Sequence, residues 1–193
     1  MIYLVRHGQT VWNKLGRLQG RGDSPLTSEG IEHVLSVSRI LRREIGDVES
    51  AQVESSPLER AKQTAFILCR ELGIDQSRIR IVSLLSEYDC GVWEGLTGDE
   101  IDKLHPGERE ARESDKWNHV VPGGESYALV YERAKQWIGN VPNELVTIAV
   151  THQMISRMIQ GAYLGLSPTE MLQRPHAHDR VYRLHGGQIE ELR

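Results

Sequence analysis

The chain has 193 residues, 39% of them hydrophobic, enough to bury one sizeable core within the usual size of a single domain. Its 23 Lys and Arg against 27 Asp and Glu leave a formal net charge of -4, which excludes a global field that would recommend nucleic acid or an anionic membrane as partner, so any anion site must be local. Two cysteines, Cys69 and Cys90, exclude a thiolate zinc centre and a disulfide framework, and read as unpaired thiols in a reducing compartment. The first element, Met1 to Val5, is a continuous apolar run of β-formers, the pattern of a strand covered on both faces. Arg6 ends it, leaving it too short for a signal segment or a membrane span, and cytoplasmic residence is the expectation.

After a loop containing Gly16, Gly20, Gly22 and Pro25, Thr27 can cap a helix reaching to roughly Arg43, with Ile31, Val34, Leu35, Ile40 and Leu41 on its apolar side. A strand fits Gln52 to Ser55. The next helix has a strong start signal: Ser56 as cap, Pro57 at the first position and Glu59 completing a capping box, with Leu58, Ala61, Ala65, Leu68 and Leu72 facing the core. Arg78 to Leu84 reads as a third strand. Glu87 to Glu125 is rich in Gly, Pro and charge, an excursion holding one short helix capped by Thr97 with Glu100. Glu108 to Lys116, with mixed charges at helical spacing, reads as a solvated helix face with little functional content. Helix resumes from Glu125 to Ile138, strand from Leu145 to Val150 and helix from Met154 to Leu164; a hairpin closes the chain around Gly186-Gly187. The expected fold is α/β: one three-layer domain over residues 1–193, with a mostly parallel central sheet flanked by helices.

In such sheets the ligand crevice lies beyond the carboxyl ends of the parallel strands. Three expected strand ends carry chemistry: Arg6-His7, Ser55-Ser56 leading to Arg60, and Thr151-His152. Two imidazoles and two guanidiniums gathered in one place repel one another until a dianion joins them, and a phosphoryl group matches guanidinium forks and helix N-terminal amides. Nearby cations also hold His7 in its neutral, nucleophilic form.

The segment Leu4-Val5-Arg6-His7-Gly8-Gln9-Thr10 resembles the RHG signature of the histidine phosphatase superfamily, also called the phosphoglycerate mutase-like family. Further segments are similar to its motifs in the same order: Gly16-Arg17-Leu18-Gln19-Gly20, Pro25-Leu26-Thr27-Ser28-Glu29-Gly30, the run from Ser55 to Ala65, Glu87 with Gly91-Val92-Trp93-Glu94-Gly95, Pro122-Gly123-Gly124-Glu125-Ser126, and Thr151-His152. The resemblance implies a phosphoglycerate mutase-like fold, phosphorylation of His7, phosphoryl oxygens held by Arg6, Arg60 and His152, and rim contacts from Asn13 and Gln19. It implies Glu87 as the acid that protonates the leaving oxygen and then accepts a proton from water. No metal and no cofactor is called for, since arginines and imidazole supply the charge. Gln153 departs from the pattern, which commonly has Gly there, and is expected to narrow the pocket or contact substrate.

The expected activity is metal-independent hydrolysis of a small phosphorylated metabolite. The alternatives are a phosphoglycerate mutase-type isomerase, which must keep water from the phosphohistidine with longer covering segments, and a non-catalytic phosphate-binding module. Residues about 90–124 are expected to form an irregular cover that shapes specificity; the resemblance leaves a homodimer open. Trp93 and Trp117 read as packing residues, Gly20-Arg21-Gly22 as a loop rather than a dinucleotide fingerprint, and His176-Ala177-His178 as a histidine pair lacking a third metal ligand.

Overall fold

The computed structural model describes residues 1–193. Strand β1 (Ile2–Arg6) lies inside the sheet, and its side chains alternate between two cores: Tyr3 and Val5 pack on one face, Ile2 and Leu4 on the other. With both faces covered, the run has no reason to alternate polar with apolar residues. Strands β2 (Gln52–Ser55), β3 (Arg80–Ile81), β4 (Thr147–Thr151), β5 (Val181–His185) and β6 (Gln188–Leu192) complete a six-stranded sheet in the order β3-β2-β4-β1-β5-β6. Pairings from β3 through β1 are parallel, whereas β5 and β6 join antiparallel as a hairpin closed by Gly186 and Gly187. The sheet is therefore mixed, with its parallel part carrying the strand ends singled out above.

Helices α2 (Ser28–Glu44) and α3 (Glu59–Leu72) cover one face through Val34, Val37, Leu41, Ala61, Ala65 and Leu68. Helices α6 (Tyr127–Asn140) and α7 (Gln153–Leu164) cover the other through Val130, Trp137, Ile155 and Met158. The result is a three-layer α/β domain, each fully buried Leu, Ile or Val contributing about 1.5–3 kcal/mol. Short helices α1 (Val11–Lys14), α4 (Gly98–Leu104), α5 (Glu108–Ser114) and α8 (Pro168–Gln173) lie in the connections. Thr27 caps α2 by accepting from Gly30 N–H at 2.9 Å, and Thr97 with Glu100 forms the expected capping box of α4. Helix α3 ends at Gly73, whose φ of 78° requires glycine. No helix is long and apolar enough to cross a membrane.

Three expectations need correction. The strand over Arg78 to Leu84 shrinks to Arg80–Ile81, an exposed edge pairing only with Glu54 and Ser55, because the chain coils at Ser83–Leu85 to bury Leu85. The excursion from Glu87 to Glu125 holds two short helices, α4 and α5, where one was expected. The capping box Ser56/Glu59 does not form: α3 begins at Glu59, its cap position Leu58 makes no side-chain bond, and Pro57 precedes the helix.

Gly8, just after β1, lies against the start of α2, where a Cβ would run into the Gly30 carbonyl. Gly8→Ala is expected to lower stability by about 1–3 kcal/mol through this overlap, read as a drop in the urea midpoint; an unchanged midpoint would mean the loop yields freely.

Candidate active site

Strand register assembles the site. Arg6 lies opposite Thr151 and Ser55 opposite Val150, and the pairing runs one residue further: His7 N–H donates to Thr151 O and Ser56 N–H to Val150 O, each at 3.0 Å. His7, Ser56 and His152 thus become neighbours beyond three adjacent strand ends. The imidazole centroids of His7 and His152 are 5.0 Å apart, and Ser56 Oγ lies 2.7 Å from His152 Nε2.

His7 is buried, with Nδ1 2.8 Å from the Gly8 carbonyl and Nε2 3.3 Å from Arg60 Nε–H. The carbonyl can only accept and the guanidinium can only donate, so both contacts fit the neutral tautomer with its proton on Nδ1. Its pKa is held well below the ordinary histidine range by burial first, then by Arg60, Arg6 and His178. Burial also holds His152 low, with Arg60, His7 and Arg6 adding to the effect.

Arg60 is buried to 1% exposure and tightly held. Besides the bond to His7, it donates to the carbonyls of Gly20 and Gly22, each at 2.7 Å, and to Asp23 Oδ1 at 2.8 Å. Asp23 also accepts from the backbone N–H groups of Glu59 and Arg60, capping α3 from a distant loop. This explains the failed capping box: Asp23 supplies the acceptor, and Ser56 Oγ turns to His152. Arg6 points to the opposite face of β1. Its NH1 donates to the His176 carbonyl at 3.0 Å, its Nε finds no protein partner, and burial lowers its pKa to about 10, which leaves it charged at neutral pH.

Glu87 is buried beside the start of α7. Its Oε1 accepts from the backbone N–H groups of Tyr88, Met154 and Ile155 at 2.9–3.2 Å, whereas Oε2 shares only Met154 N–H. His7, Arg6 and Glu87 line one cleft of about 450 Å³ together with Asn13, Gln19 and Gln153. Arg60 and His152 are buried behind this wall. Asn13 Oδ1 accepts from Thr10 N–H, and Gln19 Oε1 accepts from Thr10 Oγ–H at 2.6 Å, so both amide oxygens also tie the loop down. Trp93 is buried and borders the cleft, while Trp117 packs on Tyr131.

Sequence reasoning missed several contributors. The face of α5 taken as solvated puts Arg109 and Arg112 on the cleft, and α7 adds Arg157. Arg157 follows Gln153 by four residues on one helix, so periodicity could have found it. His178 Nδ1 lies 2.6 Å from the His7 carbonyl and His176 receives Arg6, which makes the His176/His178 pair part of the site's frame. No group of three or more His, Cys, Asp or Glu side chains is placed to hold a metal ion. Chemically, the cleft offers an imidazole lone pair for attack, guanidiniums to bind oxyanions and a carboxyl group for proton transfer.

A family model described as the histidine phosphatase superfamily (branch 1) matches residues 2–190. The chain is 34% identical over 158 residues to a 6-phosphofructo-2-kinase/fructose-2,6-bisphosphatase of Caenorhabditis elegans, covering 82% of this chain and 33% of that one. It thus spans about a third of that relative's length. It is 32% identical over 168 residues to a Salmonella paratyphi C protein described as "Probable phosphoglycerate mutase GpmB", covering 86% and 75% of the two chains. The crystal structure of the α-ribazole phosphatase from Shigella flexneri superposes with a TM-score of 0.81 at 23% identity, covering 100% of this chain and 94% of that one.

Two expectations follow from the geometry. The pKa values of His7, His152, His176 and His178 are all lowered in the fold, so below about pH 6.5 the unfolded chain binds more protons. Stability should fall on acidification by up to about 1.4 kcal/mol per pH unit for each of them, measured by urea unfolding between pH 7 and 5; stability rising toward pH 5 would contradict neutral buried rings. Asp23→Ala should cost about 1–2 kcal/mol through the lost cap, with Asp23→Asn recovering part of it because an amide oxygen can still accept. Equal melting temperatures for all three proteins would remove Asp23 from this role.

Proposed function

This chain belongs to the histidine phosphatase superfamily, branch 1, and on that premise we propose that it hydrolyses a small phosphorylated metabolite through a phosphohistidine intermediate on His7. The observation that carries the proposal is the placement of the buried His7 ring, with Nε2 3.3 Å from Arg60 Nε and Nδ1 2.8 Å from the Gly8 carbonyl, contacts that suit the neutral ring. In the first step Nε2 attacks phosphorus, the phosphorus–oxygen ester bond breaks, and Glu87 gives its proton to the leaving oxygen. In the second, water attacks phosphorus, Glu87 takes the water's proton, and the phosphorus–nitrogen bond breaks to release inorganic phosphate. Oε1 of Glu87 is anchored by backbone N–H groups, so Oε2 is the oxygen assigned to the proton.

Arg6, Arg60 and His152 are assigned as ligands for the phosphoryl oxygens, with Asn13, Gln19 and Gln153 as further substrate contacts, a reading supported by the closeness of Arg60 and His152 to His7 and by the other four lining the cleft. Charge on the transferred group is balanced by these side chains, so the reaction needs neither metal nor cofactor. Isomerisation is the competing reading, favoured by the likeness to the Salmonella protein. A mutase must shield its phosphohistidine from water with longer covering segments, and the short connections over this cleft, with α4 and α5 of seven residues each, favour hydrolysis.

The test is phosphate release from a panel of phosphomonoesters with a chelator present. The parent should turn over and form an acid-labile phosphohistidine; His7→Ala should do neither, a loss of about a million-fold in rate if the nucleophile is essential. Glu87→Gln should slow esters with poor leaving groups most, and equal slowing of all esters would argue against a general acid. Conversion of 3-phosphoglycerate to its isomer without phosphate release would replace hydrolysis by mutase chemistry.

A further inference from the structure

The peptide unit that joins His7 to Gly8 is held at both ends by side chains. Its N–H donates to Thr64 Oγ on α3 at 3.0 Å, and the Thr64 hydroxyl in turn donates to the Arg60 carbonyl at 2.8 Å. Its carbonyl receives no backbone N–H; the one donor is His178 Nδ1–H, at 2.6 Å. A carbonyl can only accept, so the His178 proton sits on Nδ1. Burial lowers the pKa of His178 to about 4, with Arg6 and His33 adding to the effect against the opposing bond to His7 and the charge of Asp179, and the ring is therefore neutral at pH 7.

His178 has little freedom to leave this position. Its ring stacks on His33 of α2, with centroids 5.8 Å apart and 7° between planes, and meets the His7 ring edge-on at 5.5 Å. Its backbone belongs to the segment between α8 and β5, where the His176 carbonyl takes Arg6 NH1 and Ala177 N–H reaches the Tyr182 hydroxyl at 3.4 Å. The hold matters because the residue after His7 is glycine, which turns freely about its backbone bonds. The Gly8 carbonyl is the acceptor that fixes His7 Nδ1–H, and Arg60 Nε, 3.3 Å from Nε2, is the other hold on the ring. With the preceding peptide loose, the Gly8 carbonyl can swing away from Nδ1 and the imidazole can turn about its side-chain bonds.

We propose that His178 is a positioning residue for the nucleophile: by fixing the His7–Gly8 peptide it keeps the Gly8 carbonyl on His7 Nδ1 and Nε2 aimed at the phosphorus to be attacked. The proposal rests on the phosphatase reading, in which His7 is the attacking group. His178 does not line the cleft, so its loss falls on the rate of attack and not on the binding of substrate.

The experiment separates the N–H of His178 from its ring. His178→Phe keeps an aromatic face for His33 and has no donor; His178→Asn loses the stack but places an amide N–H where Nδ1–H stood. Each is compared with the parent by the rate of the first turnover of p-nitrophenyl phosphate, by KM, by melting temperature and by the downfield proton resonance of His7 Nδ1–H, identified by its absence from His7→Ala. His178→Phe should slow phosphohistidine formation by about tenfold or more with KM changed less than about twofold, and should lose the His7 resonance to exchange with water. His178→Asn should recover most of both. A packing role predicts the reverse order, and that order, an Asn variant no faster than Phe, or a Phe variant that keeps either the parental rate or the protected proton would overturn the proposal. Should His178→Phe not fold, His178→Leu takes its place as the variant without a donor. If the parent forms no phosphohistidine with any ester, the phosphatase reading falls by itself, and the His7 proton across the same variants still decides whether His178 holds the ring.

Discussion

Parallel pairing of β2, β4 and β1 continues one residue past the strands, through the bonds His7 N–H to Thr151 O and Ser56 N–H to Val150 O, and the rest of the site depends on it. Backbone hydrogen bonds hold His7 and His152 in place regardless of what their side chains would choose. Burial there disfavours a charged imidazole, and the nearby Arg60 and Arg6 add repulsion, so both rings are held well below the ordinary histidine pKa. A neutral imidazole is the form whose free ring nitrogen can attack, which is why the proposed nucleophile needs no separate base.

Burying a guanidinium costs on the order of several kcal/mol unless its donors are matched. Arg60 meets this with the Gly20 and Gly22 carbonyls and with Asp23, which simultaneously satisfies the open amides of α3. One loop thereby supports a helix terminus and a cation together. Glu87 is placed by similar means, its Oε1 taken up by amides at the start of α7. The floor of the site is sheet-bound and the opposing wall is drawn from α4, α5 and the connection before them.

Much of this was legible in the residues. The apolar run through β1, the caps at Thr27 and Thr97, and the hairpin at Gly186-Gly187 are local signals, and the strand-end rule then pointed to His7, Arg60 and His152, which the fold brings together. What failed was nonlocal. Ser56 and Glu59 have the right spacing for a capping box, but Asp23, thirty-six residues from Glu59, takes that place, and no spacing rule could announce it. Arg78 to Leu84 has strand-like residues, yet burial of Leu85 coils the chain early. Arg112 looked like a solvated charge because its partners, Trp93 and Tyr127, come from either side of it in the chain. The roles of Asn13, Gln19 and Gln153 rest on family resemblance and on their position in the cleft wall.

The two ends of the sheet are unlike its centre. At one end β3 offers two residues, too short to template another strand. At the other, β6 carries Glu190 and Glu191, which pair with Arg183, Arg180 and Arg193 across and along the hairpin. A flat, apolar edge would invite strands from other molecules to add on, whereas a stub and a charged ribbon do not. A two-residue stub and a ribbon of paired charges thus leave the sheet without the flat apolar edge on which a further strand would add.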